Sequence, residues 1–186
     1  EEAQTQDSGH YIITKTFEDI SITGRRLEIS EASDALTAAE PIGFGFEFYG
    51  QLYGHLFVST EGYVSFESSS VASENVAIPS TGGPGALIAV FWDDLDPALH
   101  GDIFIDMRGV APYRRLVVQW RGVAHAQRPE SRVNAQLILY ETTNQVQLLY
   151  GVSSNGPGAS GEEVALGESA TVGIENSGGT LGEGLH

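Results

Sequence analysis

Cysteine is absent from this 186-residue chain, and lysine and methionine occur once each, as Lys15 and Met107. Without cysteine there can be no disulfide framework, zinc–thiolate site or thiol nucleophile. The sequence also has no run of about 18 apolar residues, which excludes a membrane-spanning helix. It lacks both a phosphate-binding glycine loop and a Gly-x-Ser-x-Gly nucleophile elbow. We therefore expect a protein that is not an enzyme and does not insert into a membrane.

Positive charge is also scarce. Nine lysines and arginines stand against 25 aspartates and glutamates, so the net charge is -16. A chain with this charge is repelled by nucleic acid and by anionic lipid surfaces. Divalent cations are its natural counterions, and we expect neither nucleic acid nor membrane as a partner.

The length suits one domain with a full core, and the 23 glycines and 7 prolines are typical of many turns between short strands. Residues 1–9 are polar and are predicted to form an N-terminal arm or linker. Residues 10–186 are predicted to form a single domain. Because the chain starts at Glu1 and not at Met, we expect a processed mature form.

Hydrophobic residues alternate with polar ones, which predicts half-buried strands. Phe44, Phe46 and Phe48 share one face of a strand, and Leu116, Val118 and Trp120 share one face of another. Short turn-rich connections favour antiparallel pairing. The predicted fold is an all-β, antiparallel two-sheet sandwich of jelly-roll type, each sheet having one wet face. Strands are predicted at 11–17, 20–22, 26–29, 42–48, 55–59, 63–66, 87–92, 102–107, 113–120, 132–140, 145–150 and 170–176. An acidic surface loop is predicted at 31–40, where the alanines leave a helix as the alternative, and a flexible loop at 156–161.

Carboxylates cluster after the apolar segment Leu87–Trp92. Asp93, Asp94 and Asp96 follow it directly, and Asp102 comes shortly after. Calcium binds six to eight oxygens from carboxylates, carbonyls and water, so these four aspartates are candidate ligands of a structural calcium ion. The alternative is that they cap turns and pair with arginines such as Arg114 or Arg115.

Sugar binding and glycoside hydrolysis are two further functions with candidate residues in this sequence. Tyr49 and Tyr53, in a glycine-flanked turn, are candidate sugar-stacking residues, whereas both tryptophans are expected in the core. Glycoside hydrolysis would need two opposed carboxyls, for which Glu61, Glu67, Glu141 and Glu175 are candidates. His100 and His125 are predicted to be loop residues, and the histidines show no zinc-binding spacing.

Several segments carry a family resemblance. They are Phe44–Gly50, Val58–Phe66, Leu87–Asp96 and Arg115–Trp120. In order and spacing they resemble the accessory β-sandwich domains of bacterial secreted and surface proteins, notably those appended to subtilisin-type proteases. The central part is also similar to the nidogen-like extracellular domain of animals. The resemblance implies a secreted or cell-surface module without catalysis, which binds, adheres or assembles.

The chain departs from this pattern in three places. Glu61 stands where the family has Asn before Gly62, which is expected to alter the hydrogen bonding of the turn because Asn tolerates left-handed geometry better. Val90 replaces a proline, which frees a backbone N–H for pairing. The family continues into a final strand, which we expect to be missing here or supplied by another molecule.

From these observations we expect a non-catalytic extracellular binding, adhesion or assembly module of a bacterial secreted or surface protein. Its partners would be other extracellular protein chains or surface glycans, with self-assembly by strand pairing as a further route. The alternative is a carbohydrate-binding domain or a glycoside hydrolase.

Overall fold

All regular elements in the described part of the chain are β-strands. The computed structural model describes residues 17–29, 34–67, 72, 74–151 and 169–185. No helix in these ranges could cross a membrane. The strands are β1 (Arg25–Arg26), β2 (Glu40–Phe48), β3 (Gln51–Val58), β4 (Tyr63–Ser65), β5 (Leu87–Trp92), β6 (Leu95–Asp96), β7 (Asp102–Arg108), β8 (Arg115–His125), β9 (Arg128–Tyr140), β10 (Val146–Tyr150), β11 (Thr171–Glu175) and β12 (Gly182–Leu185).

These strands form two antiparallel sheets, as the alternating sequence pattern predicts. The first sheet has the order β1-β7-β8-β9-β10, with β6 also paired to β8. The second has the order β12-β11-β5-β4-β3-β2. The predicted all-β two-sheet sandwich is confirmed.

The main core lies between the sheets. Phe46 of β2, Ile88 of β5 and Trp120 of β8 are among its fully buried residues. The indole Nε1–H of Trp120 donates a 2.9 Å hydrogen bond to the carbonyl oxygen of Ser59, the residue that follows β3, so the largest side chain of the first sheet is fixed to the backbone next to the second. A Trp buried with its N–H satisfied in this way contributes packing without an unpaired donor.

The prediction that each sheet has one wet face is confirmed along β2, where buried and exposed residues alternate, but is wrong for other parts of both sheets. On the outer face of the first sheet, Val117, Ile138 and Leu149 form a second apolar cluster, over which Ile20 packs. On the outer face of the second sheet, Tyr63, Leu87 and Trp92 form a third. The runs Leu116–Val118 and Leu137–Leu139 are apolar at consecutive positions, a pattern typical of strands buried on both faces.

Most predicted strands are confirmed to within a few residues, and β5 has the predicted bounds. Two short strands were missed, β6 and β12, and residues 20–22 form a turn instead of a strand. The final strand is not missing, because β12 pairs with β11 from within the same chain. The freed N–H of Val90 does pair, donating to the Gly62 carbonyl oxygen at 3.0 Å. The predicted arm at 1–9, the strand at 11–16 and the loop at 156–161 lie outside the described residues.

Candidate functional site

The carboxylates after β5 lie where the chain passes from one sheet to the other. β5 ends at Trp92 in the second sheet, and β6 begins at Leu95 in the first. Asp93 and Asp94 therefore occupy the corner between the sheets. The N–H of Ala126, in the turn between β8 and β9, donates to the Asp94 carbonyl oxygen at 2.8 Å, which holds that turn against the corner.

Asp93 is the most tightly held carboxylate of this corner and is only 4% exposed. Its Oδ2 accepts a 2.7 Å hydrogen bond from the Ser169 hydroxyl, and its Oδ1 accepts the Asp94 N–H at 3.0 Å. His125 Nε2 lies 3.6 Å from Oδ1. Burial alone would raise the pKa of Asp93, but the contacts with His125, Ser169 and the Asp94 amide outweigh it and hold the pKa below its usual value.

An open cleft of about 600 Å³ lies beside this corner. Among the described residues, its lining is polar or charged: Asp34, Glu74, Asn75, Asp93, Asp94, His125, Gln127, Arg128 and Ser169. Four carboxylates thus face one arginine and one histidine. Two of the lining side chains are hydrogen-bonded to each other, because Gln127 Nε2 donates to Asp94 Oδ2 at 3.0 Å. The cleft therefore presents an acidic surface on which some side chains are already held in place by hydrogen bonds.

Ser169, Asp93 and His125 are the residue types of a hydrolase triad, but their order in space is different. A catalytic serine must bond to the imidazole that removes its proton. Here the Ser169 hydroxyl is bound to the aspartate, and His125 Nδ1 accepts the N–H of Gln127 at 3.2 Å. The trio therefore braces the corner and does not form a nucleophile–base pair.

Beneath the cleft lies Glu61, which is completely buried. Its Oε1 accepts hydrogen bonds from the Thr60 hydroxyl at 2.7 Å and the Asp34 N–H at 3.1 Å. Its Oε2 accepts the Leu95 N–H at 3.2 Å. Burial raises the pKa of Glu61 to about 7, against these hydrogen bonds, which lower it. The Glu61 carboxylate thus links the loop at Asp34 to Leu95 of β6, which belongs to the first sheet.

The reason expected for the Glu61 departure is wrong. The residue with left-handed backbone geometry is Gly62, with φ of 82°, and Glu61 itself has no positive φ. Glu61 instead contributes through its carboxylate, which accepts the N–H groups of Asp34 and Leu95. A Cβ at Gly62 would lie 2.0 Å from the Phe91 carbonyl oxygen, so glycine is required there.

The four aspartates predicted to bind calcium are not brought together. Asp93 and Asp94 line the cleft. Asp96 instead caps the following turn, its Oδ1 accepting the Ala98 N–H at 2.8 Å, and Asp102 pairs with Arg26. Among the described residues, no group of three or more His, Asp or Glu side chains is arranged to hold a metal ion. Calcium stays a prediction, and of the four only Asp93 and Asp94 face a common space.

The arginines named for aspartate pairing behave differently. Arg114 forms a two-pronged ion pair with Glu141, at 2.6 and 2.8 Å. Arg115 pairs with none of the aspartates among the described residues. His125 is also not a loop residue, because it ends β8 and pairs with Leu95.

The two candidate sugar-stacking tyrosines lie on the β2–β3 hairpin, away from the cleft. Tyr49 is 42% exposed and packs edge-on against Phe48. Tyr53 stacks on Phe66 at 4.9 Å, and its hydroxyl donates to Glu67 at 2.8 Å. Burial and the Glu67 carboxylate raise the pKa of Tyr53 to about 12. Tyr113, in the β7–β8 turn, is 76% exposed and is more accessible than either.

The carboxyls proposed for glycoside hydrolysis are all engaged elsewhere. Glu67 binds Tyr53 and Ser177, and Glu141 binds Arg114. Glu175 Oε2 accepts the Ser80 N–H at 2.8 Å, and burial raises its pKa. None of these carboxyls, nor Glu61, lines the cleft.

Comparison with known proteins supports one of the two resemblances. A family model described as NIDO related matches residues 11–183. No curated protein and no solved structure was found to match the chain. The match supports the nidogen-like resemblance and gives no support to the protease-appended one.

Proposed function

The chain belongs to the NIDO-related family of extracellular domains, and from that premise we propose that it is a non-catalytic binding module whose ligand surface is the acidic cleft. The observation that carries the proposal is the polar lining of the cleft, held in place by the Ser169–Asp93 and Gln127–Asp94 hydrogen bonds. Side chains fixed before binding lose less conformational entropy when a ligand docks.

The charge of the cleft indicates the class of partner. Asp34, Glu74, Asp93 and Asp94 outnumber Arg128 there, within a chain of net charge -16. A partner surface with exposed arginine or lysine is therefore attracted at long range and matched at contact. We propose that the partner is another extracellular protein chain that presents basic side chains.

A carbohydrate ligand has different requirements. Sugar rings need an exposed aromatic face, and no aromatic residue is among the described lining of the cleft. Tyr49 on the β2–β3 hairpin would be the natural site for such a ligand. The location of binding therefore separates the two functions.

The test is an NMR titration of the ¹⁵N-labelled chain with the peptide Gly-Gly-Arg-Gly-Gly at constant ionic strength. We expect saturable shifts at the amides of Asp93, Asp94 and residues 125–128, and no such shifts with Gly-Gly-Gln-Gly-Gly. Asp94→Asn should weaken the response, whereas Glu47→Gln, which removes one negative charge outside the cleft, should not. Shifts that are scattered over the surface, or equal in both variants, would contradict the proposal.

A further inference from the structure

A second cavity, of about 110 Å³, lies on the outer face of the first sheet. It is separate from the acidic cleft and shares none of the cleft's lining residues. Its lining combines Arg108, Arg115 and the Glu18 carboxylate with apolar, amide and phenol side chains. The Glu18 carboxylate is paired with Arg108.

The two arginines are direct cross-strand neighbours. Arg108 of β7 is in register with Arg115 of β8. Residues directly opposite in an antiparallel pair have Cβ atoms about 4.5–5.5 Å apart, and like charges in that position destabilise the sheet. Two adjacent arginines facing one cavity are unusual in a chain that has only nine basic residues.

The charges of these two arginines are balanced very differently. Arg108 forms ion pairs with Glu18 at 2.6 Å and Asp106 at 3.0 Å, and also donates to the Thr23 hydroxyl at 3.0 Å. Arg115 has no side-chain hydrogen bond or ion pair among the described residues, and its side chain is partly buried. Its guanidinium is therefore the cation that this cavity can offer to a ligand.

Three apolar side chains of the lining would suit a hydrocarbon, beside the polar side chains of Gln136, Tyr140 and Gln147. Val117, Ile138 and Leu149 are each at least nine-tenths buried and give the cavity an apolar wall. Gln136 is 1% exposed, and its amide is held by the Glu18 carbonyl and Gln119. An apolar wall with a few fixed polar groups is the usual composition of a small-molecule site.

From these contacts we propose that the cavity binds a short-chain monocarboxylate, with the carboxylate on Arg115 and the hydrocarbon chain against Val117, Ile138 and Leu149. Guanidinium and carboxylate match in geometry and form strong charge-assisted hydrogen bonds. The volume is below the roughly 150 Å³ cavity that holds benzene in another protein, so the chain is limited to about four carbons. The strongly acidic protein disfavours polyanions, and a single carboxylate needs only one free cation.

The experiment is an NMR titration of the full chain with sodium butyrate at constant ionic strength. We expect saturable shifts at the amides of Val117, Ile138 and Leu149 in the wild-type chain. Butyramide, which has a similar shape but no charge, should produce no saturable response. A blocked glutamate, N-acetylglutamate N-methylamide, tests whether a protein side chain can supply the carboxylate, and we expect it to bind more weakly because the cavity is small.

Arg115→Gln should weaken butyrate binding by about tenfold or more, because the charge-assisted hydrogen bonds between guanidinium and carboxylate are lost. Arg132→Gln is the matched control, because it removes one arginine that does not line the cavity. Circular dichroism checks that both variants fold. If Arg115→Gln does not fold, the wild-type shift map decides the question alone. Equal shifts with butyrate and butyramide, or shifts outside the cavity, would overturn the proposal.

Discussion

The Ser169 hydroxyl donates a 2.7 Å hydrogen bond to Asp93 Oδ2, although the two residues lie 76 positions apart in the chain. This bond joins the residues just before β11 to the corner between β5 and β6. It fixes the carboxylate that lies deepest in the acidic cleft.

Replacing Ser169 by Ala should therefore destabilise the chain. A hydrogen bond to a charged group contributes about 1.5–3 kcal/mol, and because Ser169 is exposed we expect about 1 kcal/mol from urea unfolding at pH 7. Ser177→Ala, which removes another exposed serine–carboxylate bond, is the control and should cost less.

Ser169→Ala should also change how the stability of the chain depends on pH in the acid range. The pKa of Asp93 is lowered on folding, so its contribution to stability is present above pH 3.8 and is lost as pH falls through the folded value. In Ser169→Ala that contribution should be smaller, and the difference from the wild-type chain should shrink below pH 3.8. A difference that does not change with pH would show that the bond does not act through the Asp93 carboxylate.

Glu61 predicts the opposite pH dependence. Burial raises its pKa from 4.5 to about 7, so the folded chain binds this proton more tightly than the unfolded chain. The contribution is complete below about pH 4.5 and is lost as pH rises to about 7. We expect Glu61→Gln to remove this part of the slope in a series of urea titrations between pH 4.5 and 8.

The absolute stability of Glu61→Gln will also fall, because one of its two acceptor oxygens is replaced by an amide donor. The pH slope, and not the midpoint, is therefore the informative readout. Glu47→Gln, at an exposed position on β2, should keep the wild-type slope. An unchanged slope in Glu61→Gln would contradict a raised pKa at this position.

Much of the fold could be predicted because the alternation along β2 and the apolar runs of β8 and β9 are local signals. β6 and β12 could not, since β6 has only two residues and Gly182–Leu185 contains no β-branched residue. Both are strands because a neighbour already offers an edge. That information lies in the tertiary structure and not in the segment itself.

The site was predicted only in part, for the same reason. The run Asp93–Asp96 marked the corner, but its surroundings depend on Ser169, His125 and Asp34, which are distant in sequence. No local pattern around Ser169 predicts its bond to Asp93. Similarly, Asp94 faces the cleft while Asp96 caps a turn, because the chain bends between the two sheets and does not continue as one strand.

Calcium remains a specific prediction for this corner. With only Asp93 and Asp94 of the four aspartates facing the cleft, most of the six to eight oxygens would have to be water or other cleft groups. We therefore expect millimolar, and not micromolar, calcium to raise Tm, and Asp94→Asn to abolish the rise.

Asp96→Asn is the control for this experiment and should keep the calcium response, because Asp96 caps a turn at Ala98. Thermal unfolding with calcium and with chelator makes the comparison. An identical Tm in the two conditions would remove calcium from the account.

β12 covers an edge of the second sheet that would otherwise be open to other strands. β12 covers the outer edge of β11, and at the opposite edge Arg114 and Asn144 side chains bond to the backbone of β2 at Gly43 and Glu47. An uncovered edge accepts strands from other molecules. Truncation after Leu181 removes β12 and should therefore cause concentration-dependent association, measured by light scattering. The 186-residue chain should associate less. Equal association of both chains would show that β12 does not protect this edge.

We propose that the acidic cleft binds basic protein surfaces. The most direct measurement is to probe a peptide array and a glycan array side by side with the wild-type chain and with Asp94→Asn. We predict that the wild-type chain binds arginine- and lysine-containing peptides, that Asp94→Asn loses most of this binding, and that neither binds glycans. Glycan binding that is unaffected by Asp94→Asn and lost in Tyr49→Ala would contradict the account.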